Sequence, residues 1–236
     1  MTSTMISLNA LAQFLDIFFK VESYNEDERG GIYLPTSRPI NRLGLALDSQ
    51  DNLYESIKTL SLDALFLHRP WKLDTEKLPP DFGIISYHLP FDELLTVGFN
   101  PHLADILNMS NLEILGEKQN RAIGMIGNTP NQTFTDLCNC INEIFGGYEQ
   151  TQAATQIEVN KIAVVGAMTD LLVRDAASRG ANVYITGQFR QPATRAIIDT
   201  QIGFISIGHE RSETWGLRVL ANILQQRWSN LEIIIC

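Results

Sequence analysis

Apolar positions recur along this chain with two periods, and the alternation between them outlines a fold. Residues 8–20 (LNALAQFLDIFFK) repeat at the spacing of a helix with one face on a core, with Ser7 or Asn9 as its cap. The next stretch, YNEDERGGIYLPTSRPIN, is polar and rich in Gly and Pro, which predicts irregular surface chain. Arg42–Asp48 (RLGLALD) then reads as a strand ending in an acid, residues 51–60 as a helix, and residues 63–67 as a strand that stops at His68-Arg69-Pro70. After Pro79 and Pro80, GIISYHLPFDELL reads as a strand followed by His88 and Asp92. Pro90 there predicts no helix until after Asp92, because the residue before a proline avoids the helical region.

Farther along, Asn100-Pro101 opens a short helix to about Leu107, and LEILG and AIGMIG predict two short strands. GNTPNQTF predicts a break leading into a helix over about 133–145, and residues 146–160 a boundary or crossover. From Lys161 strands and helices alternate regularly: KIAVVG, 169–179, ANVYITG, 192–199, GFISIG, 210–227 and a closing LEIII. Short connections between such alternating elements predict an α/β fold with a largely parallel sheet covered by helices. Gly180 stands where a helix end wants a left-handed residue.

Composition narrows the function classes. At 236 residues, with 44% apolar and 19% charged residues, the chain has the make-up of a folded α/β protein of one domain or two small lobes. A net charge of −9 with no long basic run argues against nucleic acid as the main partner. No run is long enough to span a membrane, and the N-terminal apolar segment is interrupted by Asp16 and Lys20, so a cytoplasmic protein without membrane attachment is expected. The 3 cysteines make no framework: Cys138 and Cys140 point to different helix faces and Cys236 is terminal.

Candidate chemistry gathers at strand ends. GHERSETWG follows the buried strand IGFISI and opens a helix, so His209 and Glu213, one turn apart, leave the same face at the edge of a sheet. An imidazole and a carboxylate so placed can share a divalent cation, or can serve the helix terminus and a hydrogen bond only. His68 is delivered by the end of a strand. Asp92 could be a ligand, a cap or both, with His88 orienting it from behind. The glycine-ended strands, with Arg69, Arg190 and Arg195, could receive an anionic small molecule, or the arginines could be solvated surface charges.

These pieces, taken in order, resemble a known family. The strand-end His-x-Pro, YHLPFD with GFNPHLADILN downstream, KIAVVGAMTDLLVRDAASRGANVYITG and the terminal GHERSETWGLRVLANIL are similar to the NIF3-like family, also described as type 2 GTP cyclohydrolase 1 or dinuclear-metal-centre hexameric proteins. The resemblance runs from about 41 to 226. It implies a two-lobed α/β fold, here with one lobe from about 1–120 plus 200–236 and the other from about 121–200, and toroidal homohexamers. It also implies a pair of divalent cations in a cleft between the lobes. Transferred by position, it places His68, Asp92, His209 and Glu213 as metal ligands, with Glu213 bridging, and a metal-dependent, cyclohydrolase-like hydrolase as the activity.

Three positions depart from the family pattern. Arg69 stands where the family's His-His-Pro has its second histidine, and a guanidinium has no lone pair for a cation. Its charge could instead pair with Asp92 or Glu213, leaving one ion or none. Gln188 and Pro192 occupy places of an acid and a histidine. A mixed nitrogen and oxygen donor set suits zinc, manganese, iron or cobalt alike. The alternative to a hydrolase is therefore a non-catalytic oligomer that binds a metabolite or partner and has lost one or both metals.

Overall fold

A computed structural model describes residues 6–156 and 158–236. The chain divides into two compact units, Met1–Phe91 with Gly216–Cys236, and Asp92–Trp215. In chain order the elements are α1 (Leu8–Phe19), β1 (Gly31–Leu34), β2 (Arg42–Asp48), α2 (Asp51–Thr59), β3 (Ala64–Arg69), β4 (Gly83–Ser86) and α3 (Leu89–Leu95). There follow α4 (Pro101–Ile106), β5 (Ser110–Ile114), β6 (Glu117–Lys118), β7 (Arg121–Ala122), β8 (Gly124–Thr133), α5 (Phe134–Phe145) and β9 (Gln150–Gln152). The last are β10 (Glu158–Ala167), α6 (Asp170–Ser178), β11 (Val183–Gln188), α7 (Thr194–Thr200), β12 (Gly203–Ser206), α8 (His209–Arg227) and β13 (Glu232–Ile235). The architecture is mixed α/β, as the alternating pattern predicts.

The first unit is built on a sheet of order β1-β4-β3-β2-β13, in which β13, β2, β3 and β4 run parallel and β1 closes one edge antiparallel. Its central strand β3 is buried on both faces from Ala64 to His68. That explains a run of apolar residues without alternation. On α1, Leu8, Leu11, Ala12, Leu15 and Phe19 form the buried stripe, and Ser7 caps the helix by accepting from the Ala10 N–H at 3.2 Å. Each large side chain so buried contributes about 1.5–3 kcal/mol. The polar stretch after α1, expected to be irregular, contains β1. It pairs with β4 after Gly30 and Gly31, both at positive φ, redirect the chain.

The second unit carries a sheet of order β5-β8-β10-β11-β12-β9, with β10, β11 and β12 parallel and the other pairings antiparallel. Tyr184, Phe204, Val165, Ile126 and Ile197 belong to its buried core. GNTPNQTF, expected to break the chain, is instead the second half of β8. Its register with β10 shifts between Val159 and Lys161, and Pro130 sits in that irregularity, where no ladder N–H is demanded. The expected lobe limits near 120 and 200 also differ from the observed ones. Backbone pairing decides this: β5 bonds to β8 and β12 to β11, so residues on both sides of those limits belong to one sheet.

One polar link in each unit sits deep in the fold. Tyr87, fully buried, donates its hydroxyl to Asp16 Oδ1 at 2.6 Å, tying the end of β4 to α1. Burial, reinforced by Asp16, pushes that hydroxyl far above its ordinary range, so it remains a donor at physiological pH. In the second unit Arg121 holds Glu93 with two bonds, Nε to Oε2 at 2.8 Å and Nη2 to Oε1 at 3.2 Å, both side chains nearly enclosed.

Tyr87→Phe is expected to lower unfolding free energy by about 1–2 kcal/mol, read by urea denaturation, since a carboxylate-paired hydroxyl is lost while the ring stays. Arg121→Ala is expected to cost about 3–5 kcal/mol, because Glu93 keeps its enclosure and loses this partner; restoration of most of that stability by the second change Glu93→Gln in the same chain is the check.

Candidate metal centre

His68 lies next to the end of β3 because the parallel register with β2 carries the strand past its apolar run to Arg69. The imidazole is fully buried, 4.7 Å from the Phe91 ring and 4.6 Å from that of His88, centre to centre. Its Nδ1 lies 3.2 Å from the Tyr87 carbonyl oxygen. A carbonyl only accepts, so this contact assigns the proton to Nδ1 and leaves Nε2 with a lone pair. That Nε2 faces His88 Nδ1 at 3.1 Å. Two nitrogens bound to one tetrahedral ion at about 2.0–2.1 Å stand roughly 3.3 Å apart, so the pair is close to ligand spacing as it stands.

Asp92 completes the group. Donor atoms of His68, His88 and Asp92 all lie within 4.8 Å of one another. This geometry depends on the start of α3, which lies before Asp92 and not after it as the sequence predicts. Helix α3 begins at Leu89, with Pro90 and Asp92 in its first turn, where the missing proline N–H would have had no helical partner in any case. His88 and Asp92 are thus about one helical turn apart. His88, expected to orient Asp92 from behind, offers a ring nitrogen to the same point as His68. The available signal was its spacing of four from Asp92; the proline obscured it.

Arg69, next along β3, donates through Nε to Asp48 Oδ1 and through Nη2 to Asp48 Oδ2, both at 2.7 Å. The parallel register places Asp48 directly beside Arg69 on β2, and the two-pronged geometry follows from that adjacency.

In the second unit the pairing of β11 with β12 extends past the strand ends, with Ile207 N–H donating to the Thr186 carbonyl at 2.9 Å and Gly208 N–H to that of Gly187 at 3.1 Å. Gly208, at φ 104°, makes the turn into α8. His209 Nε2 and Glu213 Oε1 then lie 3.0 Å apart on one helix face, with His209 57% exposed and Glu213 1%. Beside them Ser212 Oγ accepts from the Val97 N–H at 3.2 Å. Gln188 is exposed at the end of β11, where its N–H reaches Thr186 Oγ, and Pro192 is exposed after it. Arg195 is exposed and pairs with Asp199 at 3.0 Å; Arg190 is exposed. His102 stacks 6.2 Å from Trp215 on the surface of α4.

A family model described as Duf34/NIF3 (NGG1p interacting factor 3) matches residues 6–236. The chain belongs to that family. Among NIF3 relatives, a Pyrococcus horikoshii protein named GTP cyclohydrolase 1 type 2 homolog is 25% identical over 240 residues, covering 95% of this chain and 96% of its own. A Deinococcus radiodurans protein of the same name is 20% identical over 230 residues, covering 92% and 88%. The fold is shared with the solved structure of protein ybgI, of unknown function, at TM-score 0.79, 18% identity and 98% coverage of both chains. It is also shared with reduced HcgD from Methanocaldococcus jannaschii, at TM-score 0.75, 20% identity and 98% of both. Among the described residues of this NIF3 member no helix is long and apolar enough to cross a membrane.

Gly208→Ala is expected to destabilise the second unit by about 1 kcal/mol or more, measured as a fall in the thermal midpoint. A Cβ there meets a left-handed backbone and comes within 2.6 Å of Glu149 Oε1.

Proposed function

We propose that this NIF3-family chain is a divalent-metal-binding protein whose donors include His68 Nε2, His88 Nδ1 and Asp92, and that it works as a metal-dependent hydrolase of the cyclohydrolase-like kind. The observation that carries the reading is the 3.1 Å approach of two imidazole nitrogens beside a carboxylate, one ring having its other nitrogen bonded to a backbone carbonyl. Family membership and the relatives' names support it. The donor set fits an ion of borderline softness, zinc, manganese, iron or cobalt, because it mixes imidazole and carboxylate.

A bound ion would supply Lewis acidity and bring the pKa of a coordinated water toward about 7. The chain's own residues do the rest. The Tyr87 carbonyl holds the His68 tautomer, and the Phe91 ring, itself packed on Phe66, lies against the imidazole. His88, half-buried, can take the tautomer protonated on Nε2, which would leave its Nδ1 lone pair for an ion. His209 and Glu213 form a second donor pair in their own unit, and we assign them a second ion. Glu149, close to Gly208 on that unit, is a carboxylate available for proton transfer.

A second reading, a non-catalytic oligomer that binds an anionic metabolite or a partner, draws on Arg69 in place of a histidine and on Gln188 and Pro192. The homohexamer implied by the resemblance belongs to either reading, as does a cytoplasmic setting.

The test is a calorimetric titration of chelator-treated full-length protein with zinc and with manganese. Wild type is expected to bind, and His68→Ala and His88→Ala each to weaken binding at least about tenfold with unchanged circular dichroism. His209→Ala is expected to remove a second equivalent. Folded wild-type protein that takes up neither metal, or variants that bind as wild type does, would overturn the proposal; bound metal with no hydrolysis of any nucleotide tried favours the second reading.

A further inference from the structure

Trp71 stands three residues beyond His68 and is 67% exposed, whereas Trp215 is buried and Trp228 half-buried. Isolated exposed apolar residues are common on protein surfaces and by themselves carry no meaning. Trp71 differs in two respects. Its ring stands edge-on to the imidazole of His88, with centroids 4.9 Å apart and planes at 87°. One ring contact therefore separates the open indole from a donor of the metal group.

The loop that presents it is also pinned. Leu73 N–H donates to the Pro70 carbonyl at 3.0 Å, closing a turn around Trp71. Asp74 N–H donates to the Tyr54 hydroxyl at 2.7 Å, and the Asp74 carboxylate then caps the following turn by accepting from Glu76 N–H at 3.1 Å. Leu73 and Leu78 pack on the core of the first unit. An exposed indole on anchored backbone loses little freedom when a ligand settles on it, which is the condition for a useful stacking surface.

From this we infer that Trp71 is a stacking platform for the flat, nitrogen-containing aromatic ring of the substrate, presented beside the His68, His88 and Asp92 group. The inference rests on the metal reading above for what happens to that ring, but not for the stacking itself. A planar heterocycle matches the surface better than an aliphatic chain does, because its whole face meets the indole face. Such a ring also has electrophilic carbons next to its nitrogens, the kind of centre that metal-assisted hydrolysis attacks. Trp71 is in this sense a positioning residue, with no proton or electron of its own to give.

The experiment follows tryptophan emission of the full-length protein during titration with guanosine, adenosine and cytidine, with ribose as the non-aromatic control, once in the presence of zinc and once after chelation. Saturable quenching by at least one nucleoside and none by ribose is expected. Equilibrium dialysis of the same nucleoside is expected to show Trp71→Ala binding at least about fivefold more weakly and Trp71→Phe within about threefold of wild type. Zinc affinity is expected to be the same in all three proteins. Nucleoside binding of unchanged strength in Trp71→Ala, equal competition by ribose, or no binding of any of the three nucleosides overturns the platform. A change of oligomeric state in Trp71→Ala would overturn it too, assigning the indole to a protein contact. Failure of zinc to bind wild type removes the metal reading alone, since the chelated titration judges the stacking independently.

Discussion

The hydrogen bond from His68 Nδ1 to the Tyr87 carbonyl, at 3.2 Å, is the constraint on which the candidate centre depends. It exists because β3 and β4 are parallel neighbours, so a residue near the carboxyl end of β3 meets the backbone that leaves β4. With the Nδ1–H donating to a backbone acceptor, the neutral imidazole keeps the lone pair of its second ring nitrogen. The same Tyr87 sends its side chain in the opposite direction, to Asp16 on α1. Its stacking on Phe66 and Phe19 makes the carbonyl part of a packed aromatic wall. The imidazole is thereby oriented by the core, and a change far from the donors reaches them through packing.

The second unit solves a related problem with a different device. Its parallel strands β10, β11 and β12 end together, and the turn at Gly208 passes directly from strand to helix, so that His209 and Glu213 fall in the first two turns of α8. Enclosing the Glu213 carboxylate is costly, and the adjacent His209 nitrogen at 3.0 Å offsets part of that cost. The two-pronged Arg121–Glu93 pair is likewise tolerable only because each charge is matched by the geometry of the other. Both arrangements fix where a side chain points more than they stabilise the chain as a whole.

Arg69 is tied to the strand beside its own. Its guanidinium is held by Asp48, its register neighbour, at 2.7 Å on both prongs. His88 approaches His68 from the start of α3, with its Nδ1 3.1 Å from His68 Nε2.

Periodicity alone was sufficient for most of the elements, because an apolar stripe on α1 or an unbroken apolar run in β3 can be buried in only one way. Family membership was legible too, carried by motifs such as GHERSETWG that combine a strand end, a left-handed glycine and an i, i+4 pair. What sequence could not decide were the outcomes that rest on partners distant along the chain. Pro90 reads as a barrier until the start of α3 is seen, and GNTPNQTF reads as a break until β10 pairs with it. Arg69 has no evident mate until β2 lies beside β3, and Trp71 is an ordinary loop residue until its ring is found against His88. Local propensity is a property of neighbouring residues, whereas registers, salt-bridge choice and ring contacts are settled by which strands lie side by side, and only the tertiary structure makes that choice.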